Sequence, residues 1–106
     1  MTCAVLHDWY DRQGKPLACP REIERLLRDA AYKRLAETTL PDGKWVSTVW
    51  LGIDHSFGMG RPLIFETMVF PSRGDGHDLG CERYATETEA AEGHERMVRL
   101  WSIGEP

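Results

Sequence analysis

The chain of 106 residues lacks the features that mark several large classes of protein. It has only three cysteines, Cys3, Cys19 and Cys81, and no CxxC pair. Disulfide-stabilised secreted domains usually carry an even number of cysteines, so we expect free thiols in a reducing compartment. A structural zinc site would need ligands gathered from across the fold. We therefore expect no disulfide framework, no metal and no cofactor.

Long apolar runs are also missing. No stretch of the sequence approaches the roughly 18 apolar residues of a membrane helix. The first residues, MTCAVLHDWYDRQGK, show no basic segment followed by a long apolar one, as a secretory signal would. The expectation is a protein that does not enter a membrane and is located in the cytoplasm.

An excess of positive charge is absent as well. The chain holds 13 basic and 17 acidic side chains, a net charge of −4. Residues 1–43 are balanced, with seven of each sign, whereas residues 44–106 hold six basic and ten acidic side chains. Binding to phosphate backbones requires a basic surface, so we expect no nucleic-acid partner.

The sequence does contain the signals of one globular domain that spans residues 1–106. Its 42% hydrophobic and 28% charged residues are typical of a soluble domain of this length. The segment WVSTVWLGIDHSFGMGRPLIFETMVF is nearly continuous in apolar residues and has only three charges. It predicts two core strands, Trp45–Asp54 and Leu63–Phe70, joined by a glycine-rich turn.

The remaining elements complete an α+β fold. We predict a strand over Ala4–Tyr10, a helix that begins at Pro20, a strand over Lys33–Leu40, a polar loop over 71–80 and a last helix capped by Thr86. The order β-α-β-β-β-α indicates an antiparallel sheet of about four strands with two packed helices. Because the central strand is apolar on both faces, a second layer or a homodimer could cover it.

Both predicted helices show an apolar stripe at helical spacing. The first stripe consists of Ile23, Leu26, Leu27, Ala30 and Ala31; the second consists of Ala90, His94, Met97, Val98 and Trp101. Gly93 lies inside the second helix, where glycine costs about 1 kcal/mol relative to alanine. Its presence indicates close contact with another element.

Four residues are weak candidates for catalysis: Asp54, His55, Glu66 and His94. A histidine beside a carboxylate can act as a general base. However, adjacent strand residues point to opposite faces, so Asp54 and His55 are not expected to bond directly unless the strand has already ended, and the favoured interpretation is that Asp54 caps the turn while His55 faces solvent. With these four groups, a small hydrolase or a ligand-binding domain is one functional hypothesis.

Glu66 needs a partner because a carboxylate amid apolar residues is expensive to bury alone. Arg83, Arg34 or His94 could supply it, and a structural ion pair is the favoured interpretation. Convergence of Glu66 and His94 in one cleft would instead indicate catalysis.

The acidic second part of the chain favours protein binding. Between Asp75 and Glu95 there are seven acidic residues and only one arginine. Such a surface could dock on a basic site of a host or phage protein, and the candidate contacts are Asp75, Asp78, Glu82 and Glu87. Any exposed residue among the tryptophans would be a natural anchor. The alternatives are simple solubility or a minor structural subunit of a virion.

Three segments, YDRQGKP, STVWLGIDHSFGMGRPLIFETMVF and ERYATETEAAEGHERMV, carry a resemblance that spans most of the chain. The sequence resembles a family of small uncharacterised proteins of actinobacteria and their bacteriophages. The resemblance implies a phage or prophage setting and no catalytic residues. It also implies that the turn at 58–61 need not hold any one side chain. A phage-type accessory protein that binds another protein is the leading hypothesis.

Overall fold

A four-stranded antiparallel sheet with a long helix on one face forms the centre of the protein. The structure is a computed structural model, and it describes residues 8–102. The helices are α1 (Pro20–Leu27), α2 (Ala30–Lys33) and α3 (Glu87–Ser102), and the strands are β1 (Arg34–Thr39), β2 (Trp45–Trp50), β3 (Phe65–Phe70) and β4 (Gly80–Tyr84). The strands lie in the order β1-β2-β3-β4. The predicted α+β class is confirmed.

The observed order of elements differs from the predicted β-α-β-β-β-α. In the predicted strand Ala4–Tyr10, residues 4–7 lie outside the described residues, and Trp9 makes only an isolated bridge to Ile53. The fourth strand is instead β4, which begins at the last residue of the predicted loop 71–80. Its sequence, GCERY, lacks a clear apolar alternation, and its pairing with β3 is what holds it extended.

The hairpin of β1 and β2 forms as predicted around the turn at 41–44. Gly43 takes a φ of 98°, a conformation that glycine adopts at little cost, and the Leu40 amide donates to the Lys44 carbonyl over 2.7 Å. β2 is shorter than predicted, because the chain turns at Gly52 with a φ of 84°. A side chain there would collide with the Trp50 ring, at 2.9 Å from a Cβ.

The first predicted helix is divided in two. α1 ends at Leu27, and Asp29, in an extended conformation, caps α2 by accepting from the Tyr32 amide over 3.0 Å. A short aspartate side chain competes well for such an amide, so a new helix begins where the apolar spacing predicted continuity. The prediction of a single helix through Ala30 and Ala31 is therefore wrong.

α3 begins and packs as its sequence indicates. The Thr86 hydroxyl accepts from the Glu89 amide over 3.1 Å, and the Glu89 carboxylate accepts from the Ala85 amide over 3.2 Å. The predicted close contact at Gly93 is confirmed, because a Cβ there would lie 2.2 Å from the ring of Tyr84. The helix backbone thus rests directly on a tyrosine of β4.

The two faces of the sheet differ in their cover. The face under α3 carries fully buried side chains, among them Val46, Phe65 and Val69. The open face carries partly exposed apolar side chains, namely Trp45, Val49, Met68 and Phe70. No helix within residues 8–102 is long and apolar enough to cross a membrane.

Candidate functional site

The segment that joins β2 to β3 projects two large apolar side chains into solvent. We call residues 54–63 the β2–β3 loop. Asp54 braces its base, since one carboxylate oxygen accepts from the amides of Ser56 at 2.7 Å and Leu63 at 2.9 Å. The other oxygen accepts from the Ser56 hydroxyl at 3.0 Å. Asp54 thus ties the beginning of the loop to its end.

The ionised form of Asp54 is favoured by this arrangement. Burial by itself would raise the pKa of the carboxyl group, but the hydrogen bonds from Ser56 and Leu63 outweigh it and lower the pKa below its usual value. Asp54 is therefore an ionised structural brace. His55 bonds elsewhere, through Nδ1 to the Ile53 carbonyl at 3.0 Å. The two neighbours do not form a histidine–carboxylate hydrogen bond.

At the tip of the loop, Phe57 is 86% exposed and Met59 is 79% exposed. Phe57 has a φ of 56°, the only positive value at a non-glycine residue within residues 8–102. A bulky residue in this left-handed conformation carries backbone strain of order 1–3 kcal/mol, and such strain clusters at functional sites. A costly conformation thus presents an aromatic ring to water.

A shallow cleft lies beside the loop. It has a volume of about 190 Å³, and its lining includes Tyr10, Pro62 and Ile64. Arg61, at its rim, bonds to Glu89 of α3 over 2.8 Å, and this bond is the main cause that lowers the pKa of Glu89. The loop is therefore fastened at its end to the beginning of α3.

Glu66 lies on the open face of the sheet and is paired. Of the three predicted partners, the structure selects Arg83, whose Nε donates to the carboxylate over 3.0 Å. The two residues face each other across β3 and β4. The Cys81 thiol also donates to Glu66, over 3.3 Å. Burial, followed by this bond, raises the pKa of Cys81 to about 11, so the thiol is protonated and a poor nucleophile.

His94 lies on the opposite face, under α3, and is 3% exposed. Its Nδ1 is 2.7 Å from the Thr48 hydroxyl, and its Nε2 is 2.9 Å from the Thr38 hydroxyl. Burial lowers the pKa of His94, so the neutral imidazole is favoured. Because the sheet separates His94 from Glu66, the two groups do not meet in one cleft. The four candidate catalytic residues therefore occupy three separate places.

The hydroxyls around His94 form a larger polar network that sequence reasoning missed. Thr48 is 2.5 Å from Thr67, and Tyr84 bonds to both Thr67 and Glu82. Thr48 and Thr67 are opposite each other across β2 and β3. The sequence does place a polar residue at an inward position of each strand, but these residues can be recognised as one network only when the strand register is known.

The four candidate partner-binding acids are distributed over three elements. Glu82 on β4 pairs with Arg96 over 2.5 Å, and Glu87 at the beginning of α3 pairs with Arg12. Asp75 and Asp78 are exposed in the segment before β4, where Asp75 accepts from the His77 amide over 3.0 Å. Two of the four charges are thus partly neutralised within the chain.

The tryptophans do not supply the exposed anchor that the sequence suggested. Trp50 is 2% exposed, and Trp9, Trp45 and Trp101 are partly buried. The aromatic side chain that is largely exposed is Phe57. Within residues 8–102, no group of three or more histidine, cysteine, aspartate or glutamate side chains is placed to hold a metal ion.

Comparison with known proteins gives no relative: no family model, no curated protein and no solved structure matches this chain.

Proposed function

We propose that this chain is a phage-type accessory protein of the host cytoplasm that acts by binding another protein through the β2–β3 loop, with Phe57 as the main anchor. One observation carries the proposal: Phe57 is 86% exposed in a left-handed backbone conformation, on a loop base that Asp54 braces. Phe57 lies outside the turn at 58–61, whose side chains the family resemblance leaves free to vary.

The energetics favour such an anchor. Full burial of a phenylalanine side chain on a partner contributes about 1.5–3 kcal/mol. Because Asp54 already holds the base of the loop, less conformational entropy is lost on binding. The expected partner offers an apolar pocket for Phe57, with Met59 adaptable at its edge.

The charge of the chain adds a second property of the partner. A net charge of −4 attracts a basic surface over long range and raises the rate of encounter. Glu82 and Glu87 are already in ion pairs, so we assign them and the exposed Asp75 and Asp78 to steering. The proposed partner is a host or phage protein with an apolar pocket in a basic surround.

The test compares two variants that remove exposed apolar side chains from different places. Phe57→Asn deletes the ring, and asparagine tolerates a positive φ better than phenylalanine, so the fold should be kept. Leu100→Asn, at a 57% exposed position of α3, is the matched control. Each is used as bait in host lysate, with captured proteins quantified by mass spectrometry. We expect Phe57→Asn to lose at least tenfold of a capture that Leu100→Asn retains; equal capture by both refutes the proposal.

The open sheet face supports a second candidate function, a structural subunit that self-associates. Its centre is apolar, with Trp45 stacked on Phe70 at a centroid distance of 5.5 Å. Its acidic side chains are paired, because Glu66 pairs with Arg83 and Glu37 pairs with both Arg34 and Arg73. A second copy could therefore approach without like-charge repulsion while the acidic beginning of α3 faces outward.

This candidate predicts a weak dimer. Four strands of about six residues give a flat area of roughly 400 Å² per copy, from strand spacings of about 4.8 Å and a rise of about 3.3 Å per residue. Stable interfaces bury about 800 Å² per partner. Sedimentation velocity should then show a dimer only at high concentration, weakened by Met68→Lys but not by Leu100→Lys. A monomer at millimolar concentration rejects this candidate.

A further inference from the structure

A chain of hydrogen bonds runs under α3 from β1 to β4 and touches every strand of the sheet. In order, its members are Thr38, His94, Thr48, Thr67, Tyr84 and Glu82. Its successive distances are 2.9, 2.7, 2.5, 3.0 and 2.8 Å. We call it the transverse chain. His94, Thr48, Thr67 and Tyr84, its central members, are each at most 5% exposed, so water does not compete for these bonds.

The exposed end of the transverse chain decides its direction. Glu82 pairs with Arg96 as a carboxylate, and a carboxylate can only accept. The geometry suits Tyr84 as donor to both Glu82 and Thr67, but Tyr84 has a single proton and the ionised carboxylate is the stronger acceptor, so we assign that proton to Glu82. With its proton given to Glu82, Tyr84 can only accept in its 3.0 Å contact with Thr67, and we assign the donor role there to the Thr67 hydroxyl.

The remaining hydrogen bonds of the transverse chain run in the same direction up to the imidazole. Thr67 has used its proton, so Thr48 donates to Thr67. Thr48 in turn accepts, and its remaining neighbour is Nδ1 of His94, which must therefore carry a hydrogen. A neutral imidazole carries one hydrogen, so Nε2 is an acceptor and Thr38 donates to it.

We propose that the hydrogen bond between Tyr84 and the Glu82 carboxylate determines, through the transverse chain, which ring nitrogen of His94 carries the hydrogen. The tautomer of His94, which lies next to β1, therefore depends on whether Glu82 is bonded to Tyr84. With Glu82 in place, His94 is the Nδ1–H tautomer. When a binding partner draws the Glu82 carboxylate away, Tyr84 donates to Thr67 instead. Arg96 cannot replace the lost acceptor, because a guanidinium only donates.

Apart from the lost bond between Tyr84 and Glu82, the reversed chain keeps its hydrogen bonds. Each hydroxyl retains its own proton and turns about its C–O bond, so that Thr48 donates to Nδ1 of His94. The ring takes up one proton at Nε2 from water and releases one from Nδ1, and the number of protons is unchanged. Nε2–H then donates to the Thr38 hydroxyl, which needs only to rotate.

The end of the transverse chain at His94 lies beside a cleft. His94 and Thr48 line a cleft of about 170 Å³ beside β1, and the charged groups around it are Arg12, Glu87 and Glu95. Tyr84 and Arg96 line a separate cleft of about 250 Å³ on the β4 side of α3. The transverse chain thus connects two clefts on opposite sides of one helix.

The experiment records the tautomer of His94 directly. Two-bond ¹H–¹⁵N correlation spectra of the uniformly labelled chain distinguish Nδ1–H from Nε2–H, and at pH 8 the neutral ring dominates. We expect Nδ1–H in the wild type and predominantly Nε2–H in Glu82→Ala. Glu82→Gln keeps an acceptor oxygen and should retain Nδ1–H. Circular dichroism verifies that each variant is folded, which a surface position such as Glu82 allows.

Glu92→Ala is the matched control for charge. Glu92 lines the same cleft as Tyr84 and Arg96 but is not a member of the transverse chain. Its removal should leave Nδ1–H unchanged. Nε2–H in the wild type, an unchanged tautomer in Glu82→Ala, or the same reversal in Glu92→Ala would each overturn the proposal. Because the readout needs no binding partner, a failed capture with Phe57→Asn does not affect it.

Discussion

The substitution Gly93→Ala has two opposite effects on stability, a gain in helix propensity and a steric cost in packing, and the structure indicates which effect is larger. Alanine in place of glycine normally stabilises a helix interior by about 1 kcal/mol. Here the new Cβ would lie 2.2–2.3 Å from three atoms of Tyr84, including its hydroxyl. Tyr84 is 5% exposed and bonded to Thr67 and Glu82, so it cannot withdraw without breaking the transverse chain.

The expected result is a less stable protein. Overpacking of a core typically costs about 1–3 kcal/mol, and the closeness of this contact places the cost at the upper end. After the propensity gain, Gly93→Ala should lose about 2 kcal/mol of unfolding free energy. Since about 1 kcal/mol shifts the Tm of a domain this size by roughly 4–8 °C, Tm should fall by roughly 8–16 °C.

Thermal and urea unfolding followed by far-UV circular dichroism measures this loss. Ala91→Gly, at an exposed position of the same helix, calibrates the propensity of α3 and should cost about 1 kcal/mol. Tyr84→Leu removes the atoms that collide, so in that background Gly93→Ala should become stabilising. If Gly93→Ala in the wild-type background matches or exceeds wild-type stability, the reasoning is refuted.

Three further predictions concern the brace, the buried histidine and the thiol. Asp54→Ala should lose about 2–3 kcal/mol in urea unfolding, because hydrogen bonds to a charged group contribute about 1.5–3 kcal/mol, whereas Asp54→Asn, which keeps an acceptor, should lose less. The pKa of His94 in the folded chain lies below its ordinary value of 6.5, so at pH values around and below 6.5 the unfolded chain binds more protons than the folded chain. The free energy of unfolding should therefore fall as the pH drops from 7 to 5, and it should fall less steeply in His94→Gln. With a pKa of about 11 against an ordinary 9.0, Cys81 has about 100-fold less thiolate at pH 8 than in the unfolded chain, and the greater nucleophilicity of a more basic thiolate offsets about half of this on a logarithmic scale. Cys81 should therefore react with iodoacetamide roughly 10-fold more slowly than in the unfolded chain, and Glu66→Gln should accelerate it, as peptide mass spectrometry can show.

Each of these has a result that counts against it. Equal stability of Asp54→Ala and the wild type would mean that the loop does not need its brace. A pH dependence as steep in His94→Gln as in the wild type would assign the proton uptake to another group. An alkylation rate of Cys81 that is the same before and after unfolding would contradict the raised pKa of its thiol.

The local elements of the fold were largely predictable from sequence. The hairpin at 41–44, the cap at Thr86 and the tight contact at Gly93 each depend on a few neighbouring residues and on conformations that glycine or threonine favour. The prediction failed at β4 because a distant partner decides its conformation: β4 is a strand because β3 pairs with it. At Asp29 the cause is local, since its side chain competes with the helix for the Tyr32 amide.

The residues of the candidate site were also predictable only in part. The need of Glu66 for a partner was visible in its apolar strand, but the choice of Arg83 over Arg34 and His94 follows from the β3–β4 register. The exposure of Phe57 was not predicted, since a phenylalanine in an apolar segment is usually buried.

The sequence by itself determined the α+β class, the stripe of α3 and the presence of charged residues within the apolar segment from Trp45 to Phe70, because these depend on residue type and short-range periodicity. Only the tertiary structure decided which groups meet. It places Glu66 and His94 on opposite faces of the sheet, exposes the Phe57 ring to solvent, and aligns hydroxyls from four strands under one helix. Strand register and the face that a helix covers bring together residues far apart in the chain, and no local pattern encodes that pairing.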